Sequence, residues 1–303
     1  MRLSDYRSGS ADGSGSLSLY MRAKAYGEPA PNYLFPTSPF RNLNKMGFFA
    51  LEEWAAANRD YENTPAPHWH VKSVPDGFTA ISGILWSISY ILMAKKAFKD
   101  RSYAMPLHCL CLNITWEAVY GFVYGPGLLN QVVFAQWMIV DVVLFYAILR
   151  SAPYAWKQSP LVAQHLVGII VVGCVICLWL HLAIAATFIP SIGRQVVFMT
   201  AWPMQVLINF SSIAQLLSRG NTLGHSWGIW WTRMLGTIAA ACCFFWRIHY
   251  WPERFGYAWT PYGQFLLLGS IGSDMVYAVV YVYVQRLEKQ LDPLVNTKAQ
   301  KTR

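Results

Sequence analysis

Seven long apolar runs, separated by short polar connections, fill the chain from residue 76 onward. They fall at 78–98, 104–124, 132–150, 160–187, 195–217, 227–249 and 261–285. Each approaches the ~20 apolar residues that a helix needs to cross a bilayer. None alternates strictly as a barrel strand would, and a helix satisfies every backbone group within its own segment. The pattern predicts an all-α membrane protein, a bundle of about seven transmembrane helices. The connections carry chain breakers: Pro126-Gly127, Pro153, Pro190 and Gly220. Arg233 interrupts the sixth run; its long side chain would reach toward the cytosolic side, and that of Arg247 toward the other.

Residues 1–75 read differently, as a polar N-terminal extension. The run from Ser8 to Ser18 is small and polar, the composition of a flexible linker. Residues 44–58 could form a short amphipathic helix, with Met46, Phe49, Leu51, Trp54 and Ala55 mostly on one side, lying at the membrane interface. Residues 1–30 contain no apolar signal-peptide core, so the first transmembrane helix is expected to direct insertion. The expected organisation is therefore an extension over 1–75, a seven-helix domain over 76–290 and a basic tail over 291–303.

Basic residues set the orientation. One side of the bundle collects Lys95, Lys96, Lys99, Arg101, Arg150, Lys157, Arg219, Arg286, Lys289, Lys298, Lys301 and Arg303, against Lys72, Arg194, Arg247 and Arg254 on the other. The positive-inside bias puts the C-terminus in the cytosol and the N-terminus in the lumen, for a protein expected in the endoplasmic reticulum. That distribution also explains the net charge of +9 without nucleic acid as a partner, because the basic residues form no single patch. The lipid bilayer is the expected surrounding. Only 13% of residues are charged, about half the usual ~25% of soluble domains.

Most chemistry-bearing motifs dissolve on inspection. The six cysteines lie in apolar runs and behave as small hydrophobes, and Cys174-x-x-Cys177 lacks the βαβ surroundings of a redox pair. His68-Trp69-His70 has no third ligand nearby in sequence, so no metal is expected. Gly121-x-x-x-Gly125 permits close helix packing. His181 reads as a packed histidine. No internal repeat is visible, which argues against the repeat-built transporters.

Three intramembrane acids remain. A charge at the centre of a membrane helix costs ~2.5–3.5 kcal/mol on insertion scales, so each needs a reason. Glu117 lies in the second run, Asp141 in the third and Asp274 in the seventh. At ~1.5 Å rise per residue they lie ~12, ~14 and ~20 Å from the lumenal ends of their helices. They could line one cavity if those helices are neighbours; the alternative role is polar glue between helices. Asn113, Glu117, Tyr120 and Tyr124 share one helical face, as do Asp274, Tyr277 and Tyr281, and Trp137 with Asp141. Gln205 and Asn209 share a face of the fifth helix, where interhelical hydrogen bonding or substrate contact would suit them. Aromatic residues make up 16% of the chain, and Trp86, Trp116, Trp137, Trp179, Trp202, Trp230 and Trp246 all lie within the spans. Ring faces near acids suit the stabilisation of carbocations.

The element Asn113-Ile-Thr-Trp-Glu117, followed by Val-Tyr-Gly-Phe-Val-Tyr-Gly-Pro126, resembles the small integral-membrane terpene cyclases of fungal meroterpenoid and indole-diterpene biosynthesis, such as the pyripyropene and paspaline cyclases. The resemblance spans about residues 76–290, and the acid of Gly272-Ser-Asp-Met-Val-Tyr277 agrees in placement. It implies an enzyme, without a cofactor, that protonates the terminal epoxide of a prenylated small molecule and guides carbocation ring closure. It maps the family's paired acids onto Glu117 and Asp274 as catalytic residues. Asn113, Trp116, Tyr120, Tyr124, Trp137, Asp141, Gln205, Asn209, Tyr277 and Tyr281 are then candidate substrate contacts. An upstream prenyltransferase and epoxidase would supply the substrate. The N-terminal extension departs from the family pattern. A carboxylic acid that opens an epoxide must carry its proton near neutral pH, and a dry site with a second carboxylate favours that form. The Asp-rich signatures of soluble cyclases that ionise diphosphates are absent, which removes the usual need for Mg²⁺. The competing class is a seven-helix transporter or receptor that couples the acids to ions or protons.

Overall fold

The computed structural model describes residues 70–125 and 127–301. The expected interfacial helix at 44–58 lies outside the described residues, as does nearly all of the N-terminal extension. Seven long helices follow one another: α1 His70–Asp100, α2 Leu107–Ala118, α3 Leu128–Ala155, α4 Pro160–Ile192, α5 Val196–Arg219, α6 Trp227–Tyr250 and α7 Pro261–Lys301. Six of them are long and apolar enough to cross a membrane. The exception is α2, whose 12 α-helical residues continue into a 5-residue π-helical turn, Val119–Val123.

Several ends differ from the sequence reading. Pro153 and Pro190, read as connections, sit inside the last turns of α3 and α4. Each removes one i→i−4 hydrogen bond and crowds the carbonyl four residues back, close to where its helix ends. Helix α7 runs on to Lys301, well past its apolar window. Arg233 does not break α6, and its side chain does not snorkel out; it is 2% exposed.

The packing pairs close a ring in the order α1, α3, α2, α5, α7, α6 and back to α1, with α4 outside against α2, α3 and α5. The buried share of each apolar window agrees: 11% for α4 against 56% for both α5 and α6. Thus α4 presents most of its surface, including Trp179, to lipid. Small residues allow the closest approaches. A Cβ on Gly236 of α6 would stand 2.7 Å from Trp86 Cδ1 of α1. Gly224, in the α5–α6 connection, has φ +86 and lies against the backbone of Tyr103 between α1 and α2, where a Cβ would collide. Only glycine meets both demands.

That α5–α6 connection is tied down from three sides. Gly224 N–H donates to Asp100 Oδ2 at 2.9 Å, Thr222 donates its N–H and hydroxyl to Glu288 at 2.9 and 2.6 Å, and Arg219 donates to the Tyr103 carbonyl at 2.7 Å. The ring of helices is therefore closed at one end by hydrogen bonds.

Candidate active site

Asn113 and Glu117 stand one turn apart on α2 and face the same interior point. There Asn113 Nδ2 lies 2.9 Å from Glu117 Oε1, 2.7 Å from Asp141 Oδ2 on α3 and 2.9 Å from the Tyr90 hydroxyl on α1. An amide nitrogen carries two hydrogens, so three acceptors compete for two donors. Glu117 and Asp141 are both fully buried. Their other oxygens, Glu117 Oε2 and Asp141 Oδ1, have no hydrogen-bond partner among the described residues.

The π turn begins two residues after Glu117. One extra residue per turn shifts the register, and such turns recur at functional sites. Tyr120 turns its hydroxyl toward the His181 carbonyl of α4, 3.5 Å away, and Tyr124 packs half-buried against the core. Neither tyrosine reaches Asn113 by a hydrogen bond. His181 is packed as expected, its Nε2 3.1 Å from the Leu112 carbonyl.

An aromatic pocket lies among α1, α2, α3, α5 and α6, walled by Trp116, Phe134, Trp137, Phe198, Trp202 and Phe244, with Thr79, Ser82, Asn130 and Arg247 as polar members. Its cavity volume is about 120 Å³, smaller than the ~300–1,000 Å³ usual for small-molecule sites. Hydrogen bonds fix its tryptophans: Trp116 Nε1 donates to Thr200 Oγ1 and Trp137 Nε1 to the Gly83 carbonyl, each at 2.9 Å. Trp116 meets Phe134 edge-on, centroids 4.7 Å apart. Helix register relates pocket to acids. Asp141 follows Trp137, and Gln205 follows the lining residue Ala201, by four positions, or ~6 Å along the axis. Glu117 directly follows the lining residue Trp116 on α2; neither carboxyl is itself among the residues that line the pocket.

Asp274 belongs to a different cluster. Helix α7 is separated from α2 by α5, and Asp274 Oδ1 accepts two bonds from the Arg233 guanidinium of α6, one from Nε at 3.0 Å and one from Nη2. The pair is buried, at 2% and 0% exposure. Arg233 also stacks over the Tyr277 ring at 4.6 Å, Trp230 Nε1 donates to the Asp274 carbonyl at 2.9 Å, and Tyr281 stacks on Tyr277. The Tyr277 hydroxyl lies 2.8 Å from Nδ1 of His225 in the α5–α6 connection. Burial, with Arg219, Arg233 and Lys96 nearby, pushes the His225 imidazole down to about 3, so it is neutral at physiological pH. Asn209 bonds the Ser270 carbonyl at 2.8 Å and Ser273 Oγ at 3.0 Å, and takes a bond from Gln205 at 3.3 Å. Asn209 thus joins α5 to α7, the interhelical role anticipated for it, whereas Gln205 bonds Asn209 within α5.

The sequence reading did not single out Tyr90, Thr200 or His225, because serine, threonine and tyrosine in apolar runs are too common to stand out. It missed the Arg233–Asp274 pair despite a signal: opposite charges at membrane depth on two helices ask for each other. Among the described residues no three His, Cys, Asp or Glu side chains gather as metal ligands.

This arrangement, two buried carboxyls and an aromatic pocket within a bundle of apolar helices, agrees with a comparison of sequences. Residues 59–287 match the family model of the Pyr4-like transmembrane terpene cyclases. The chain belongs to that family. It is 97% identical over 258 residues to the terpene cyclase macJ of Penicillium terrestre, covering 85% of this chain and 100% of that protein. Over 224 residues it is 36% identical to the Pyr4-family terpene cyclase mfmH of Annulohypoxylon moriforme, covering 74% and 92%. The terpene cyclase atmB of Aspergillus flavus is 32% identical over 228 residues, covering 75% and 93%. Membership makes the chain an integral membrane protein of a terpene-cyclising family, and the resemblance carried by Asn113 to Glu117 holds.

Proposed function

We propose that this cyclase opens a terminal epoxide on the prenyl chain of a meroterpenoid or indole-diterpene precursor, with Glu117 as the general acid. The Glu117 carboxyl gives its proton to the epoxide oxygen. The C–O bond at the more substituted carbon breaks, and the π electrons of the next alkene form a C–C bond to the cation. Ring closures follow until a proton leaves, so product and substrate have equal mass. The aromatic walls hold the folded chain and face the migrating charge with π-electron density. Exclusion of water protects the cation from capture.

The observation that carries this reading is Glu117 itself: a fully buried carboxyl with one oxygen that has no partner among the described residues, next in sequence to Trp116, which lines the aromatic pocket. Family membership supports it, because the relatives named above are terpene cyclases. The test incubates membranes containing the protein with an epoxy-prenylated aromatic substrate and looks for a ring-closed isomer of unchanged mass. The Glu117→Gln variant, normalised to inserted protein, should lose ~10²–10⁴ in turnover. Wild-type membranes that form no isomer, or a Glu117→Gln variant that keeps near-normal turnover, would count against it.

A further inference from the structure

We propose that Asp141 is the second carboxyl of the initiating acid, holding one proton in common with Glu117 while Asn113 sets their spacing. This rests on the reading of Glu117 above and assigns its partner. Geometry leads to Asp141 from three directions. First, Glu117 Oε1 and Asp141 Oδ2 both lie against one nitrogen, Asn113 Nδ2, at 2.9 and 2.7 Å. Two atoms so placed are no more than ~6 Å apart, where two full charges in a dry interior repel strongly. Second, no cation offsets that repulsion: among the described residues the ion pairs are Lys96–Asp100 and Arg233–Asp274. A single proton held by the pair removes it. Third, each carboxyl keeps an unpartnered oxygen, Glu117 Oε2 and Asp141 Oδ1, although both side chains are fully buried. A group left unsatisfied in a dry core is costly unless something that comes and goes completes it. A shared proton and a substrate oxygen are such things.

Asp274 also has a buried oxygen, Oδ2, with no partner among the described residues, but it belongs to another cluster. Its Oδ1 is taken by the Arg233 guanidinium on the other side of α5 from Glu117. Asp141 acts through Glu117 and is thus a positioning residue. When Glu117 gives the shared proton to the epoxide, both carboxyls are left negatively charged, with the Asn113 amide against one oxygen of each, and the two charges face the cation until the proton lost at the end of ring closure is returned.

The test joins infrared spectroscopy to kinetics on the purified full chain. Wild-type protein in detergent at neutral pH should show a protonated-carboxyl stretch that shifts in D₂O. Asp141→Asn and Glu117→Gln should each move that band, and the double variant should abolish it. Asp141→Asn should lower turnover at saturating substrate at least ~10-fold per inserted protein. Its KM should stay within about threefold, because the loss lies in the transition state. The double variant should be no slower than Glu117→Gln alone, since the two act as a unit. A wild-type spectrum without the band, or a band that Asp141→Asn leaves unmoved, overturns the proposal whether or not any variant folds poorly. So does wild-type turnover in Asp141→Asn. Lack of turnover in the wild type itself would sink the cyclase reading while the spectrum still decides proton sharing.

Discussion

The Asn113 amide of α2 reaches Asp141 Oδ2 of α3 across 2.7 Å, so the neighbour of the α2 acid comes from the third helix and not the last. The same nitrogen touches Glu117 Oε1, which makes Asn113 the joint between two acids.

Removing that joint should therefore act on both at once. Asn113→Ala deletes the shared donor and leaves two more buried oxygens unsatisfied. We expect a stability loss of ~1–3 kcal/mol, the usual penalty for a buried polar group left alone. Turnover should fall with it. Asn113→Asp should be worse for inserted protein, because it adds a third carboxyl to the same spot. Thermal midpoints in detergent, read beside turnover, check both; an Asn113→Ala protein as stable and active as wild type would show the joint to be incidental.

The Arg233–Asp274 pair predicts a different pattern. Breaking a buried ion pair from one side leaves an uncompensated charge and costs ~3–5 kcal/mol. Arg233→Met and Asp274→Asn should each accumulate poorly. Combined, they leave no charge behind, and abundance should recover. The double variant also separates two roles of Asp274: recovered abundance with recovered turnover marks a structural pair, and recovered abundance without turnover marks chemistry.

How much of this was legible in the sequence varies by residue. The seven helices were, because apolar length is a one-dimensional property. Glu117 stood out because an acid at membrane depth is expensive wherever its helix packs. Its partner was not legible, since which acid faces it depends on the order of helices around the ring. The resemblance pairs Glu117 with Asp274 by role; in space Glu117 and Asp141 meet at Asn113, while Asp274 meets Arg233. Tyr120 and Tyr124 looked aligned with Glu117 only under a regular 3.6-residue period, and the π turn at Val119–Val123 removes that alignment. Asn209 was legible as an interhelical amide, because an amide in an apolar helix must find partners somewhere; Gln205, expected to do the same, bonds Asn209 one turn away on its own helix.

The pocket walls can be probed without touching an acid. Trp137 is anchored through Nε1 to the Gly83 carbonyl and stacks on Phe134, centroids 5.6 Å apart, one turn from Asp141. Trp137→Phe keeps a ring but loses the anchor, and Trp137→Leu loses the ring. Cation–π contacts in dry sites contribute up to ~2 kcal/mol, so Trp137→Leu should slow turnover by an order of magnitude. It should also release products with fewer rings, as the cation loses its shield. Trp137→Phe should preserve the ring count. Mass-matched product profiles from both variants decide; identical profiles would remove Trp137 from the reacting cation's surroundings.

The last prediction uses His225 and acid. Its imidazole is fully enclosed in the α5–α6 connection, bonded to the Tyr277 hydroxyl, and near the cations Arg219, Arg233 and Lys96. Burial first, and those charges second, push it down from 6.5 to about 3. Above pH ~6.5 the imidazole is neutral whether the connection is closed or open, and it adds no pH dependence. As pH falls below ~6.5 the open form takes up a proton that the closed form refuses, so the closed form loses stability. The loss grows until about pH 3, where the closed form binds the proton as well. Its slope is at most that of one proton, ~1.4 kcal/mol per pH unit. His225→Gln keeps a side chain that can bond Tyr277 but cannot titrate. Thermal midpoints in detergent should thus fall more steeply for wild type than for His225→Gln between about pH 6.5 and pH 4. Comparing the two cancels what every carboxylate contributes in that range. Parallel curves would mean that the enclosed imidazole takes its proton without opening the connection.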